Sequence, residues 1–143
     1  PMMSRFFRGQ SIRDEARKVV ALTEYARSQA VTLSIPIKIW INPKTGEYGM
    51  DAMPGYTLPD ERETAVFQLS EDLKFELSSG GKLESGLMNL VFQPDGSLRY
   101  DSPLSFQIVL EEKESVLILQ KEVGAGYRII VDQNHEQILR AFQ

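Results

Sequence analysis

The stretch "EYARSQAVTLSIPIKIWIN", residues 24–42, contains the change of pattern that decides the fold. Its first half carries small and polar residues, and its second half places isoleucine at every second position. Apolar residues at every second position are typical of a half-buried β-strand. Pro36 separates the two halves, because it lacks a backbone N–H and pushes Ile35 away from helical angles. The stretch therefore predicts a helix that passes directly into a strand.

The predicted helix covers residues 11–34 and extends back to about residue 5. Ser11, with Asp14 three residues later, has the spacing of an N-terminal capping pattern, and only Gly9 weakens the segment before it. Small and apolar side chains then recur at alternating spacings of four and three, which places them on one helix face. Alanines on that face allow a close approach to a sheet. The residues expected to pack against the sheets are Val19, Thr23, Ala26, Ala30 and Leu33.

Charged residues occupy the other faces of this helix. Asp14 and Lys18 are four residues apart, and Glu24 and Arg27 are three apart. Side chains at these spacings are neighbours on a helix surface, so we expect two surface ion pairs.

Short strands with frequent turns follow the helix. Residues 35–41 and 48–52 predict a hairpin around the turn at 42–46, where proline and glycine are well placed. Turn signals then recur about every ten residues, which is typical of antiparallel sheets. The class is therefore α+β, a single domain of residues 1–143 with its helix at about 5–34 and its β body at about 35–143. Further strands are expected near 65–69, 73–78, 87–93, 104–111, 115–121, 126–132 and 136–142.

Composition excludes several classes of function. The chain has 143 residues and a formal net charge of -4, which argues against general affinity for nucleic acid or anionic lipid. It has no cysteine, which removes disulfides, thiol catalysis and thiolate metal sites. No apolar run reaches the roughly 18 residues of a membrane span, and no signal peptide is present.

The sequence offers no catalytic constellation. His135 is the only histidine and lies in a predicted turn at 132–136, so a solvated loop residue is the favoured interpretation. A paired-histidine metal site is excluded, and no G-x-S-x-G nucleophile motif occurs. We therefore expect no enzyme activity, no cofactor and no bound transition metal.

Neighbouring carboxylates do not change this expectation. Asp60-Glu61, Glu71-Asp72 and Glu111-Glu112 are adjacent in sequence, whereas acid–base catalysis needs carboxylates in unlike environments across a cleft. Asp51 and Asp60-Glu61 flank a Gly/Pro loop at residues 53–64 that is a weak candidate for calcium, because no regular ligand spacing supports it.

Three strings in this order resemble one family. "YARSQAVTLSIPIKIWINPKTGEYGM" at 25–50 resembles the helix end and first hairpin of minor pseudopilins and minor type IV pilins, best the H-type pseudopilin of type II secretion. Ala26-Arg27-Ser28-Gln29-Ala30 matches the Ala-Arg-Ser-x-Ala that members carry at the helix end. "LVFQPDGSL" at 90–98 resembles the Phe-x-Pro-Asp-Gly-Ser turn, and "YRIIVDQNHEQILRAF" at 127–142 resembles the closing hairpin.

The resemblance implies a non-enzymatic subunit of a periplasmic filament that supports protein export. The implied partners are other pseudopilins or pilins, which meet the subunit through the N-terminal helix. The surface of that helix left uncovered by the sheets and the loop at 53–64 are then the regions most important for assembly. The candidate assembly residues on the helix are Arg13, Arg17, Glu24 and Arg27.

The resemblance also implies a membrane anchor. Members begin with a basic leader, a cleavage site and an apolar helix, none of which precedes Pro1. We expect an inner-membrane segment missing from this sequence and a periplasmic soluble domain. Type II secretion is favoured over DNA uptake, because the closing strand has only Arg140 as a basic residue and net charge is negative.

Two alternatives stay open at this point. One is a minor type IV pilin in pilus assembly or DNA uptake. The other is a soluble β-sandwich that binds a peptide or sugar in a groove with Trp40, Tyr48 and Tyr56. Trp40 alternates with the isoleucines and so lies on the opposite sheet face. A place in the core between two sheets is favoured over exposure, because aromatic burial is strongly stabilising.

Overall fold

A computed structural model describes residues 2–111 and 113–130, with side chains described from residue 12 onward. Within these residues one long helix precedes eight strands, so the predicted α+β class is confirmed. The elements are α1 (Met2–Leu33), β1 (Ile37–Ile41), β2 (Glu47–Ala52), the 3-10 helix η1 (Glu61–Thr64), β3 (Val66–Gln68), β4 (Leu73–Ser79), β5 (Met88–Phe92), β6 (Ser105–Leu110), β7 (Glu114–Gln120) and β8 (Tyr127–Ile130).

The predicted strands are confirmed to within a few residues as far as residue 130. The expected last strand at 136–142 and His135 lie outside the described residues. The start of α1 differs from the capping prediction. α1 begins at Met2, so a helix start at Ser11 is wrong and the extension toward the N-terminus is right. Serine lowers helix stability only slightly, so a capping pattern alone does not stop a helix that already continues through it.

The end of α1 shows how a helix becomes a strand without a long loop. Ser34 adopts the left-handed conformation, with φ of 54°. The N–H of Ser34 donates to Val31 O at 3.3 Å, and the N–H of Ile35 donates to Ala30 O at 3.2 Å. These are the two bonds of a Schellman cap, which satisfies carbonyls that the helix leaves unpaired. The cap ends α1 at Leu33 and leaves the chain pointed into β1.

The strands of the described residues form two antiparallel sheets of four strands each. Sheet A has the order β3-β2-β1-β5, and sheet B has the order β4-β6-β7-β8. β1 pairs with both β2 and β5, and its three isoleucines are fully buried. α1 contacts strands of both sheets, so the core lies between the helix and their inner faces.

Aromatic rings join the two sheets inside the core. The ring centroids of Tyr48 and Phe75 are 5.7 Å apart, and those of Phe75 and Phe106 are 6.3 Å apart. Tyr127 meets Phe106 edge-on at 5.6 Å, and its hydroxyl donates to Pro103 O at 2.6 Å. Burial raises the pKa of Tyr48 to about 12, with a smaller contribution from the charge of Glu15. These rings are core residues.

Trp40 lies on the outer face of sheet A. It is opposite Gly49 in the strand register, and a Cβ at Gly49 would lie 3.0 Å from the indole ring. Trp40 is half-buried and is not among the buried core residues. The preferred placement of Trp40 in a core between two sheets is therefore wrong. The core lies between α1 and the inner faces of the sheets, whereas Trp40 points away from it.

Candidate functional site

The inner face of α1 seals the helix onto the β body. Val19, Thr23, Ala26 and Ala30 have no exposed surface, and Leu33 is half-buried against the core. The Thr23 hydroxyl donates to Val20 O at 2.6 Å, which satisfies a polar group that has no access to water. The sequence placed these five residues at the helix–sheet contact, and the structure locates each of them there.

The charged residues of α1 have partners different from those that helical spacing predicts. Asp14 pairs with Arg17 at 2.9 Å rather than with Lys18. Glu24 lies 3.3 Å from the ammonium of Lys121 in the turn after β7, so its predicted pairing with Arg27 is wrong. The partner of Glu24 comes from a loop of the β body. Residue spacing along the helix cannot predict a contact with that loop.

Arg27 is used by a second loop of the β body. Its Nε donates to Gly96 O at 2.8 Å, in the turn between β5 and β6. Glu24 and Arg27 therefore fasten the last turns of α1 to two loops. Arg17 is exposed, and Arg13 is half-buried. The four candidate assembly residues thus do not share one uncovered face of the helix.

Tyr25 connects α1 to the loop at 53–64, a contact that no sequence pattern predicts. Its hydroxyl donates to a carboxylate oxygen of Glu63 in η1. Hydrogen bonding to Glu63 is the main reason why the pKa of Tyr25 is raised above its ordinary value. The loop is therefore tied to the helix at its far end, whereas Tyr56 in its middle is exposed.

The outer face of α1 carries several small residues near the exposed Arg17 and Lys18. Ala21, Ser28 and Thr32 are exposed and lie on the side opposite Val19 and Ala30. The sequence analysis proposed charged residues for assembly and did not name these small ones. Their position half a helical turn from the apolar face could have identified them. α1 is 32 residues and about 48 Å long, whereas the longest strands have 7 residues and span about 23 Å. The helix is therefore about twice as long as the longest strands.

The weak calcium candidate and the possible binding groove involve residues with other contacts in the described structure. Asp60 accepts two bonds from the guanidinium of Arg62, which lowers its pKa, and no group of three potential metal ligands occurs within residues 2–111 and 113–130. Trp40 and Tyr48, two residues of the possible peptide or sugar groove, do not line one surface. Tyr48 points into the core and Trp40 points to the other side of the same sheet.

No helix in the described part of the chain is both long enough and apolar enough to cross a membrane.

Comparisons with known proteins identify the architecture. A sequence profile of the family described as type II transport protein GspH matches residues 15–134. Two solved structures of the minor pseudopilin EpsH from the type 2 secretion system of Vibrio cholerae are similar in fold. One has a TM-score of 0.65 at 12% identity and covers 87% of this chain and 99% of that chain. The other has a TM-score of 0.67 at 13% identity and covers 87% and 96%. No individual curated protein sequence matches this chain.

Proposed function

This chain belongs to the GspH family of type II transport proteins, and from that premise we propose that it is a minor pseudopilin subunit that supports protein export through a type II secretion pseudopilus. The family resemblance read from the three strings is thereby confirmed. The observation that carries the proposal is the division of α1 into two faces. The inner face is sealed on the sheets, whereas the outer face is small, polar and uncovered.

A long helix with one uncovered face is suited to packing against other helices. Small residues allow helix backbones to approach closely, and Ala21 and Ser28 supply them on the outer face. The partners in this proposal are other pseudopilins, which contact α1 through that face. Arg13 and Arg17 lie toward the N-terminal end of the described side chains, and in this proposal they contact a neighbouring subunit. Glu24 and Arg27 contribute indirectly, because they fix the helix end to the β body.

We place the subunit at the inner membrane, with the β body in the periplasm, because pseudopilins are membrane-anchored proteins with periplasmic domains. Anchoring adds helix packing in the bilayer and holds subunits at high local concentration. The role is non-enzymatic. In this proposal the β body presents contact surfaces, and the described residues 2–111 and 113–130 contain no group of three potential metal ligands.

Crosslinking in cells tests the outer face of α1. Residues 1–143 contain no cysteine, so each introduced thiol is the only one in this part of the protein. Arg17→Cys and Ser28→Cys in the membrane-anchored protein should crosslink to other pseudopilins while secretion continues. Thr23→Cys is the matched control, since Thr23 is fully buried on the same helix and should not crosslink. If neither outward cysteine crosslinks, and the β body with α1 but no anchor restores secretion to a deletion strain, the filament role is wrong.

A further inference from the structure

β3 is an edge strand of sheet A in the described part of the chain. It pairs with β2 on one side, and within residues 2–111 and 113–130 no strand pairs with its other side. All three of its residues are exposed. An uncovered strand edge presents backbone donors and acceptors that can pair with another chain.

The register identifies which backbone groups point outward. The N–H of Leu69 donates to Gly46 O at 3.0 Å, so Leu69 has the position of a residue in a hydrogen-bonded pair with β2, although the N–H of Gly46 donates to Asn42 O instead. In an antiparallel ladder, such pairs alternate with pairs that do not exchange hydrogen bonds. Phe67 is therefore the next residue bonded to β2, opposite Tyr48. Val66 and Gln68 consequently direct their N–H and C=O groups away from β2.

Two of the three side chains of β3 are apolar. Edge strands that are protected against pairing with another chain usually carry charged residues or proline. Val66 is 57% exposed and Phe67 is 43% exposed. Proteins commonly protect edge strands with lysine or proline, and β3 contains neither. Val66 and Phe67 point to opposite faces of the sheet, so a strand added here would bring its own apolar side chains beside them on either face.

The flanks of β3 are strongly acidic. Residues 60–72 contain Asp60, Glu61, Glu63, Glu71 and Asp72, against Arg62 as the only basic residue. Arg62 is itself paired with Asp60 at 3.0 Å. Glu61, Glu71 and Asp72 are exposed on the two sides of the strand. A second copy of this chain would bring the same acidic flanks against these, which disfavours pairing of β3 with itself.

We propose that β3 is a docking edge for an extended, basic segment of a partner protein, which adds to sheet A as a fifth strand. Backbone bonds to Val66 and Gln68 fix the extended form of the ligand, and its basic residues meet the acidic flanks. This contact is separate from helix packing through α1, so it stands or fails independently of the filament role.

Binding of a designed peptide tests the edge directly. The probe is a fluorescent peptide of alternating lysine and valine, and its control replaces each lysine with glutamate. The lysine peptide should bind the domain at low ionic strength, and the glutamate peptide should bind at least about tenfold more weakly. Saturation with the lysine peptide should slow amide hydrogen exchange at Val66 and Gln68, and should leave Phe67 unchanged because it is already bonded to β2.

Val66→Pro is the decisive variant. It removes an outward N–H without removing a bond to β2, and the preceding Ala65 already has φ -58° and ψ 143°, which proline favours in its neighbour. Affinity for the lysine peptide should fall about tenfold or more, whereas Val66→Ala, which keeps the N–H, should bind more nearly like the native chain. Circular dichroism confirms that both variants fold. Equal binding by Val66→Pro, or equal binding of the two peptides, would overturn the proposal.

Discussion

The Nε of Arg27 donates a 2.8 Å hydrogen bond to the carbonyl oxygen of Gly96, across a sequence separation of 69 residues. Arg27 belongs to the Ala-Arg-Ser-x-Ala string at the helix end, and Gly96 belongs to the Pro-Asp-Gly-Ser turn. Two of the strings that resemble the pseudopilins therefore contact each other. Gly96 has φ of 88°, and a Cβ on it would lie 3.1 Å from Val31 of α1. The turn thus needs both glycine's backbone freedom and its lack of a side chain.

We expect Gly96→Ala to destabilise the domain more than Gly55→Ala does. Both glycines have positive φ, so both substitutions strain the backbone, at about 1 kcal/mol or more. A Cβ at Gly55 meets no atom within 4 Å, whereas one at Gly96 crowds Val31 and Arg27. Thermal unfolding measures the stability of both variants. The loss in Gly55→Ala reports backbone strain alone, and the additional loss in Gly96→Ala reports crowding against α1. Equal losses would show that the turn does not press against α1.

The sequence predicted the elements well, because each depends on local pattern. Alternating isoleucines identified β1, and Pro36 located the end of α1. Contacts between distant segments were not predictable. Glu24 pairs with Lys121 across 97 residues, and helical spacing alone favoured Arg27 instead. The side of sheet A on which Trp40 lies followed from alternation, but its packing over Gly49 depends on the strand register.

That packing gives a second prediction. A Cβ at Gly49 would lie 3.0 Å from the Trp40 ring and 3.0 Å from Ala65 O, so Gly49→Val should destabilise the domain by about 1–3 kcal/mol. Trp40→Leu should relieve part of this loss when combined with it. A double-mutant cycle by urea unfolding measures the coupling. If the two effects simply add, the indole ring is not what excludes a side chain at Gly49.

The turn after β5 gives a prediction about acid. Arg99 donates to Asp101 with N···O distances of 2.6 and 2.9 Å, and this bonding lowers the pKa of Asp101 below its ordinary value of 3.8. A carboxylate with a lowered pKa in the folded state stabilises the protein above its unfolded pKa, and that contribution is lost as pH falls through the folded value. Asp101→Asn should therefore reduce stability at neutral pH.

In acid, the native chain and Asp101→Asn should become similar. The difference between their free energies of unfolding should begin to shrink as pH falls below about 4, where Asp101 takes up a proton in the unfolded chain. It should disappear only below the lowered pKa of folded Asp101, where both states are protonated. Urea unfolding across the acid range measures this difference. The pKa values of Asp60 and Asp95 are also lowered. Both aspartates are present in the native chain and in the variant, so their contributions to the pH dependence cancel in the difference. A difference that is constant with pH would rule out the ion pair as its source.

The last prediction separates folding from assembly on one helix. Ala26 is fully buried against the sheets, whereas Ala21 is exposed on the outer face of α1. Ala26→Trp forces a large ring into a packed contact and should cost about 1–3 kcal/mol, or roughly 2–4 °C in Tm for each kcal/mol in a domain near this size. Ala21→Trp should leave Tm nearly unchanged, because its ring extends into solvent.

In cells, Ala21→Trp should impair function although it leaves Tm nearly unchanged. Ala21→Trp places a bulky ring where we propose that another helix packs, so the folded, membrane-anchored variant should fail to restore secretion to a deletion strain. Ala21→Ser keeps the side chain small and is the matched control, which should secrete normally. Normal secretion by Ala21→Trp at native protein levels would mean that no neighbour packs closely on this part of α1. An unchanged Tm for Ala26→Trp would instead contradict the close packing of the helix on the sheets.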